Sequence, residues 1–253
     1  MNVFITGASS GIGAALAKLY AGEGATLGLL ARRPEPPAEL AATLQGGRYA
    51  WYAGDVRDAA ALRATAAEFL ARFGLPDIVI ANAGISVGNS TEHAADNAAF
   101  RAVLETNVLG IVHTFQPFVA AMMAARHGKL VGIASVAGFR GLPGATAYSA
   151  SKAAAISYLE GLRVELAGSG IEVITICPGF IATPMTANNP YRMPFLLAPD
   201  KAARLIARAI ARGRPFYVLP WQMAALGRLL RMLPRPVYDK ALAKRPRKAR
   251  VPS

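Results

Sequence analysis

One cysteine, three histidines and fifteen acidic residues in 253 positions set the first limits on this chain. A lone cysteine, Cys177, rules out an intrachain disulfide and, as a small apolar side chain, suits the buried end of a strand. His93, His113 and His127 are scattered without ligand spacing, so no metal centre is expected. No uncharged apolar run approaches the ~18 residues that a membrane span needs. The first apolar strand begins at Asn2, which leaves no room for a signal peptide. These absences point to a cytoplasmic protein. Low-complexity tracts are missing from the first 215 residues, and no short period repeats.

Acids are outnumbered by 28 Lys and Arg, for a net charge of +13. The excess is concentrated at the end: from Trp221 onward nine basic residues meet one Asp, a net +8. Apolar residues make up 53% of the chain. They fall into short β-rich runs, each followed by a helical stretch, about seven times over, the pattern of βαβ units. The expected fold is α/β: a doubly wound Rossmann arrangement, a seven-stranded parallel sheet with helices on both faces. Residues 1–219 would form this catalytic unit and residues 220–253 an amphipathic helical extension with a basic tail.

The first strand runs into Gly7-Ala8-Ser9-Ser10-Gly11-Ile12-Gly13 and then a helix over 14–21. Strand, glycine-rich turn and helix N-terminus together make an anion site, because free amides and the helix dipole both face it. Gly7 makes the turn, Gly11 admits close backbone approach, and Gly13 lets helix pack on strand. Ser9, Ser10 and Ile12 belong to the same phosphate loop. The second strand, 25–30, ends in Ala31-Arg32-Arg33, where a cofactor with a free ribose 2′-hydroxyl usually meets a carboxylate. Two guanidinium groups there suit a 2′-phosphate, so NADP(H) is the expected cofactor, with solvated surface charges the alternative.

Tyr148 and Lys152 lie at i and i+4 of a helical stretch over 147–167, on one face. An ammonium beside a phenol is expected to lower the phenol's pKa and ready it for proton exchange near neutrality. Ser135 follows an apolar strand over 129–134, at the sheet edge where such folds bind ligands.

The chain resembles the short-chain dehydrogenase/reductase superfamily from Asn2 to about Leu219. TGxxxGxG reads Thr6 to Gly13, and the motif after the fourth strand is Asn82-Ala83-Gly84. The serine is Ser135, YxxxK is Tyr148 to Lys152, the helix asparagine is Asn107, and a Pro-Gly turn stands at Pro178-Gly179. The resemblance implies that Tyr148 is the general acid in reduction and Ser135 positions the carbonyl. It implies that Lys152 holds the nicotinamide ribose and that Asn107 keeps a water relaying protons from Lys152. By the same likeness Asp55 and Val56 border the adenine, Asn82 steadies the central strands, Gly84 lies against the adenosine ribose and Thr183 binds the nicotinamide carboxamide, with Ala83, Pro178, Gly179 and Ile181 also at the cofactor. Asp55 can equally cap the helix after it, Thr183 can be a turn residue, and Asn107 can simply satisfy core amides.

Residues 181–199 are expected to cover the substrate. Met185, Tyr191, Met193, Phe195, Leu196 and Leu197 lie there with one charge, Arg192, and Phe139 and Leu142 extend the wall. With no fixed pair of cations in view, the expected substrate is an apolar ketone, aldehyde or corresponding alcohol. A carrier- or CoA-linked 3-oxoacyl group is the alternative, and an idle dinucleotide-binding scaffold the remote one. Helices over 97–125 and 147–167 carry apolar surface suited to pairing as a homodimer or homotetramer. In the extension, Leu226, Leu229, Leu230 and Leu233 form a stripe opposite Arg228, Arg231 and Arg235. A second short helix over 237–243 precedes the basic run 244–250. The stripe is expected to pack on the body or a partner subunit, with peripheral contact to an anionic membrane as the alternative. No nucleic-acid partner is expected.

Overall fold

Asn2–Thr6 forms strand β1, and six further strands run parallel to it in the computed structural model, which describes residues 1–243 and 246–250. Lys244 and Arg245 of the basic run lie outside the described residues. The strands β2 (Thr26–Ala31), β3 (Tyr49–Ala53), β4 (Ile78–Ala81), β5 (Gly128–Ile133), β6 (Ile171–Pro178) and β7 (Phe216–Leu219) join β1 in the order 3-2-1-4-5-6-7. Every neighbouring pair is parallel. This is the doubly wound sheet expected from the alternation of elements. The order reverses between β1 and β4, so the loops leaving those two strands diverge and open a crevice at their carboxyl ends.

Both faces of the sheet are covered, which is why its strands read as nearly unbroken apolar runs. In β1, Val3 and Ile5 point to one face and Phe4 to the other, as the two-residue period of a strand requires. Val3 and Ile5 pack with Leu16 of α1 (Gly11–Gly22), Leu40 of α2 (Ala38–Leu44) and Ile206 of α8 (Pro199–Ala211). On the opposite face, Phe4 lies edge-on to Phe69 of α3 (Ala59–Phe73), with ring centroids 5.5 Å apart. Phe118 of α5 (Gly110–Ala125) stands 5.1 Å from the same ring. α3 is capped by Asp58, which accepts from the amides of Ala60 and Ala61 at 2.9 and 3.0 Å. The capping role left open for Asp55 therefore belongs to Asp58.

The helix expected over 97–125 runs from Asp96 to Ala125 with one change of pitch. α4 (Asp96–Leu104) passes through one π-turn, Glu105–Leu109, before α5 begins. A π-turn adds a residue to the helical ladder and rotates the helix beyond it. Asn107 lies inside this turn, and its amide is fully engaged: Oδ1 accepts from the Ile85 amide at 2.8 Å, and Nδ2 donates to the Ile85 carbonyl at 2.9 Å and to Ser151 Oγ at 3.0 Å. The stretch from Thr106 to Ala125 carries no Asp, Glu, Lys or Arg over twenty residues, which corrects the expectation that no uncharged run reaches spanning length. The helical stretch Asp96–Ala125 is long and apolar enough, by composition alone, to cross a membrane. In the fold its Ile111, Phe115, Phe118 and Met122 are buried among the residues of the sheet's second face.

The extension folds back on the body. In α9 (Trp221–Met232), Met223 and Gly227 are the buried positions, and the space that a side chain at Gly227 would need is filled by Phe139. Arg140 donates to the carbonyls of Leu230 and Leu233 at 2.8 and 3.0 Å, closing the open C-terminal end of that helix. In α10 (Arg235–Leu242), the Tyr238 hydroxyl donates to the Gly141 carbonyl at 2.6 Å, and the Arg140 guanidinium lies 4.0 Å over its ring. The four-leucine stripe needs correction. Leu226, Leu230 and Leu233 are half-buried, but Leu229 is 58% exposed. The buried face is centred on Met223 and Gly227, a rotation set by the fit of Phe139 against the glycine. Trp221 and Met232, 74% and 80% exposed, share the outward face with Leu229.

Candidate active site

A cleft of about 710 Å³ opens at the carboxyl edge of the sheet. Its first wall is the loop after β1. Gly7 has φ +69°, a conformation that favours glycine, and a side chain there would meet the Ala83 backbone at 2.8 Å. A side chain at Gly13 would collide with the Gly7 carbonyl and the Asn82 amide, so helix and strand approach as closely as backbone permits. The first turn of α1 has no side-chain cap and no acid, and its amides stay available for an anion. Asn82 fastens this wall: its Nδ2 donates to the carbonyls of Thr6 and Gly7 at 3.0 and 3.1 Å.

Gly7, Ser9, Ser10, Gly11 and Ile12 line the cleft, together with Arg32 and Arg33 beyond β2, Asp55 and Val56 beyond β3, and Asn82, Ala83 and Gly84 beyond β4. Pro178, Gly179, Ile181 and Thr183 border it from the β6 side, and Ser135, Tyr148 and Lys152 from the middle. Gly13 and Asn107 support the cleft from behind without lining it. Asp55 is paired with Arg57 at 2.7 Å, and the Arg57 hydrogen bond holds its carboxyl below the usual range. Thr183 precedes α7 (Pro184–Ala187), and its amide bonds Thr186 Oγ1 at 3.1 Å. It is a helix-capping residue that also faces Gly11 across the groove.

Ser135 stands beside Tyr148, where it opposes the rise in the phenol's pKa, and its Oγ donates to the Pro178 carbonyl at 3.4 Å. Ser135 Oγ also accepts from the Ala137 amide at 3.1 Å, which fixes its rotamer as it caps the one-turn helix Val136–Gly138. Tyr148 and Lys152 rise from the first turns of α6 (Thr146–Glu165). Lys152 is 4% exposed, its Nζ donates to the Ile133 carbonyl at 2.7 Å, and it stands 5.8 Å from the centroid of the Tyr148 ring. Burial lowers its pKa to about 8. The expectation that the ammonium would lower the phenol's pKa is overturned in the protein itself: desolvation dominates and pushes Tyr148 upward, with Ser135 a smaller opposing influence. The phenol is thus held protonated, as an acid.

The apolar cover over 181–199 is only partly as expected. Its ends are zipped: the Ala182 amide donates to the Leu197 carbonyl at 2.9 Å, and the Leu197 amide to that of Phe180 at 3.0 Å. Met185 lines the cleft, whereas Phe195 and Leu196 are exposed and Leu197 is buried in the body. Tyr191 stands near Phe180, ring centroids 6.3 Å apart. Phe139 turns away to stack on Phe216 and contact α9. A single cation comes near from the tail: Lys248 has its Nζ bonded to Ser86 Oγ at 3.1 Å and to the carbonyl of cleft-lining Met185 at 3.2 Å. The sequence marked Lys248 only as one member of a basic run. No local pattern reports a contact made across 162 positions.

A parallel doubly wound sheet, a dinucleotide-sized cleft at its switch point and a Ser–Tyr–Lys group beside that cleft define a nucleotide-dependent oxidoreductase for CH–OH and C=O groups. The family model described as short chain dehydrogenase matches residues 1–193, and the chain belongs to that family. An uncharacterized oxidoreductase of Myxococcus xanthus (strain DK1622) is 38% identical over 242 residues, covering 95% of either chain. Cis-4-hydroxycyclohexanecarboxylate dehydrogenase of Sinomonas cyclohexanicum is 33% identical over 226 residues, 85% of this chain and 90% of that one. Among solved structures, an alcohol dehydrogenase from the archaeon Thermococcus sibiricus complexed with 5-hydroxy-NADP superposes with a TM-score of 0.76 at 26% identity, covering 86% of this chain and 95% of that one.

Proposed function

We propose that the chain is an NADP(H)-dependent reductase of largely apolar ketones or aldehydes, equally able to oxidise the corresponding alcohols. The observation that carries the reading is the meeting of Ser135, Tyr148 and Lys152 with Arg32 and Arg33 in one cleft. The end of β2 offers no carboxylate to a ribose 2′-hydroxyl, while two guanidinium groups suit a 2′-phosphate. The dinucleotide, when bound, supplies or accepts the hydride.

The protein's own part is proton management and orientation. The Ser135 hydroxyl, pinned by the Ala137 amide, hydrogen-bonds the carbonyl oxygen and aims it at Tyr148. The Tyr148 phenol, kept neutral by burial, gives its proton to that oxygen as negative charge develops there. Lys152, charged below about pH 8, holds the ribose hydroxyls and stabilises the phenolate left behind. In oxidation the same proton travels in reverse. Asn107 acts at one remove, tying the π-turn to Ile85 and to Ser151 beside Lys152.

The test is a panel of apolar ketones and aldehydes with NADPH and, separately, NADH, followed by loss of reduced-cofactor absorbance. Turnover with NADPH preferred supports the reading; equal use of NADH removes the role of the arginines. A 3-oxoacyl thioester in the same panel decides between a free carbonyl and an acyl-chain substrate. Pairing of two copies through the α4–α6 layer is part of the same proposal, supported by exposed Leu109, Met123 and Val164 on its outer surface. Light scattering at micromolar concentration should show a dimer or tetramer, and an active monomer would refute it.

A further inference from the structure

The last described residues, 246–250, run back beside the loops after β4 and β6, next to cleft-lining Met185, in a seat shaped for them. A side chain at Gly88 would collide with the carbonyls of Lys248 and Ala249, and one at Gly144 with Arg247. Arg250 forms a parallel bridge with Gly88, and its guanidinium grips both oxygens of Asp96 at 2.8 and 3.0 Å. That carboxylate also accepts from the Ser90 amide at 2.7 Å, and its side chain is 9% exposed. A doubly bonded ion pair with a nearly buried carboxylate at one end and two side-chain-free positions beneath hold the intervening residue in place.

That residue is Lys248. Its ammonium lies between Ser86, two positions past Gly84, and Met185, two positions past Thr183, hence between the loops that follow β4 and β6. Both of its bonds go to neutral acceptors, and an ammonium carries three donors. Among the described residues, no carboxylate pairs with it. Partial burial also works against its charge. Holding a half-buried cation without a counter-ion beside the cleft costs free energy, which an arriving anion would return.

We infer that Lys248 is a substrate-recognition residue, whose remaining N–H bonds an anionic group, carboxylate or phosphate, carried by a carbonyl substrate that is otherwise apolar. This rests on the carbonyl-reductase reading, narrowing its substrate to one with a charged end.

The probes are methyl ketones of increasing chain length, each prepared with a hydrocarbon, carboxylate or phosphate terminus. At one chain length the wild-type protein should favour an anionic form in kcat/KM by roughly ten- to a hundred-fold over the hydrocarbon, the value of one charged hydrogen bond. The carboxylate and phosphate arms tell which anion it is. Lys248→Met should cut that preference at least tenfold, while Lys248→Arg should retain most of it. Gly88→Ala, which unseats the strap without removing a polar group, should lower it as well; Lys240→Met, on an exposed tail position, should not. A wild type with no preference, or a Lys248→Met protein that keeps it and only melts earlier, would show Lys248 to be a structural tie and overturn the inference. No turnover of any ketone, hydrocarbon forms included, would defeat the carbonyl-reductase reading instead. Calorimetric binding of the anionic ketones to wild type and Lys248→Met in saturating NADPH then decides the role of Lys248: weaker binding in the variant supports it, equal binding overturns it.

Discussion

On the cofactor side of the cleft the walls are strand ends and turns, and much of what faces inward is backbone. On the other side they are side chains and loop edges contributed by Ile85 after β4 and by Ile181, Thr183 and Met185, with the C-terminal strap bonded to Met185 from behind. Asn82, which secures the first side, bonds backbone of the neighbouring strand's end, at Thr6 and Gly7, 76 and 75 positions away. Lys248, on the second, bonds Ser86 across 162 positions. A wall of amides and close-packed glycines suits what all dinucleotides share, and few side chains can change it without destroying it. A wall of long-range side-chain contacts can be altered piece by piece while the sheet stands. Shared chemistry and individual specificity are thereby separated across one cleft.

The sharpest way to break the comparison lies where the two sides meet. Tyr148→Phe should lower turnover by roughly two orders of magnitude or more while leaving cofactor affinity within a few-fold, as expected for loss of a general acid. Stopped-flow turnover and fluorescence titration of NADPH measure the two quantities, and turnover within a few-fold of wild type would remove Tyr148 from the chemistry.

The cofactor side is challenged by Ala31→Asp combined with Arg32→Ser. The pair should move preference from NADPH toward NADH by roughly ten- to more than a hundred-fold, because a charged hydrogen bond to phosphate is lost and a repelling carboxylate gained. Unchanged dissociation constants for both nucleotides would place the arginines in solvent.

Two positions on α9 compare a packed face with an open one. Met223 is buried and contacts Gly179 of the cleft wall, so Met223→Glu should cost about 2 kcal/mol or more in a denaturant melt. Leu229→Glu, on the outward face, should change stability by less than about 0.5 kcal/mol. If Leu229→Glu also abolishes sedimentation with anionic vesicles, the outward face with Trp221 and Met232 is a membrane contact; equal sedimentation to wild type removes that role.

A smaller effect is expected from pH. Lys152 is lowered from the ordinary 10.5 to about 8, whereas Tyr148 is raised above its ordinary 10. In reduction the phenol is therefore protonated throughout, and the ammonium is lost as pH rises through about 8. The kcat/KM for reduction should fall about tenfold per pH unit beyond that point. Stability should move oppositely: between about 8 and 10.5 the unfolded chain binds the proton that the folded one has released, so this residue makes the fold more stable as pH increases. Lys152→Met should remove both slopes.

The fold and the cofactor wall were legible in the residue order because their determinants are local. Short apolar runs, a glycine turn and an i, i+4 pair each report a geometry that holds wherever the segment lies. Thr6 to Gly13, Asn82-Ala83-Gly84, Ser135 and Tyr148 to Lys152 all reach one cleft, since the crossover rule for parallel strands brings their loops to one edge. Local reading failed wherever an interaction depended on the environment. The Tyr148 pKa followed burial rather than the charge four residues on. The buried face of α9 was chosen by Phe139, from a different loop, and not by the largest leucine count.

By itself, then, the sequence determined the parallel sheet, the edge of it where the cleft opens and the residues that line that cleft, because periodicity and spacing encode them within a few turns of chain. Only the tertiary structure decided which distant segments meet beside the far end of the cleft. The seat at Gly88 and Gly144, the grip of Arg250 on Asp96 and the inward turn of Lys248 exist because segments from distant parts of the chain converge at one edge of the sheet. No pattern within any one of those segments records the others.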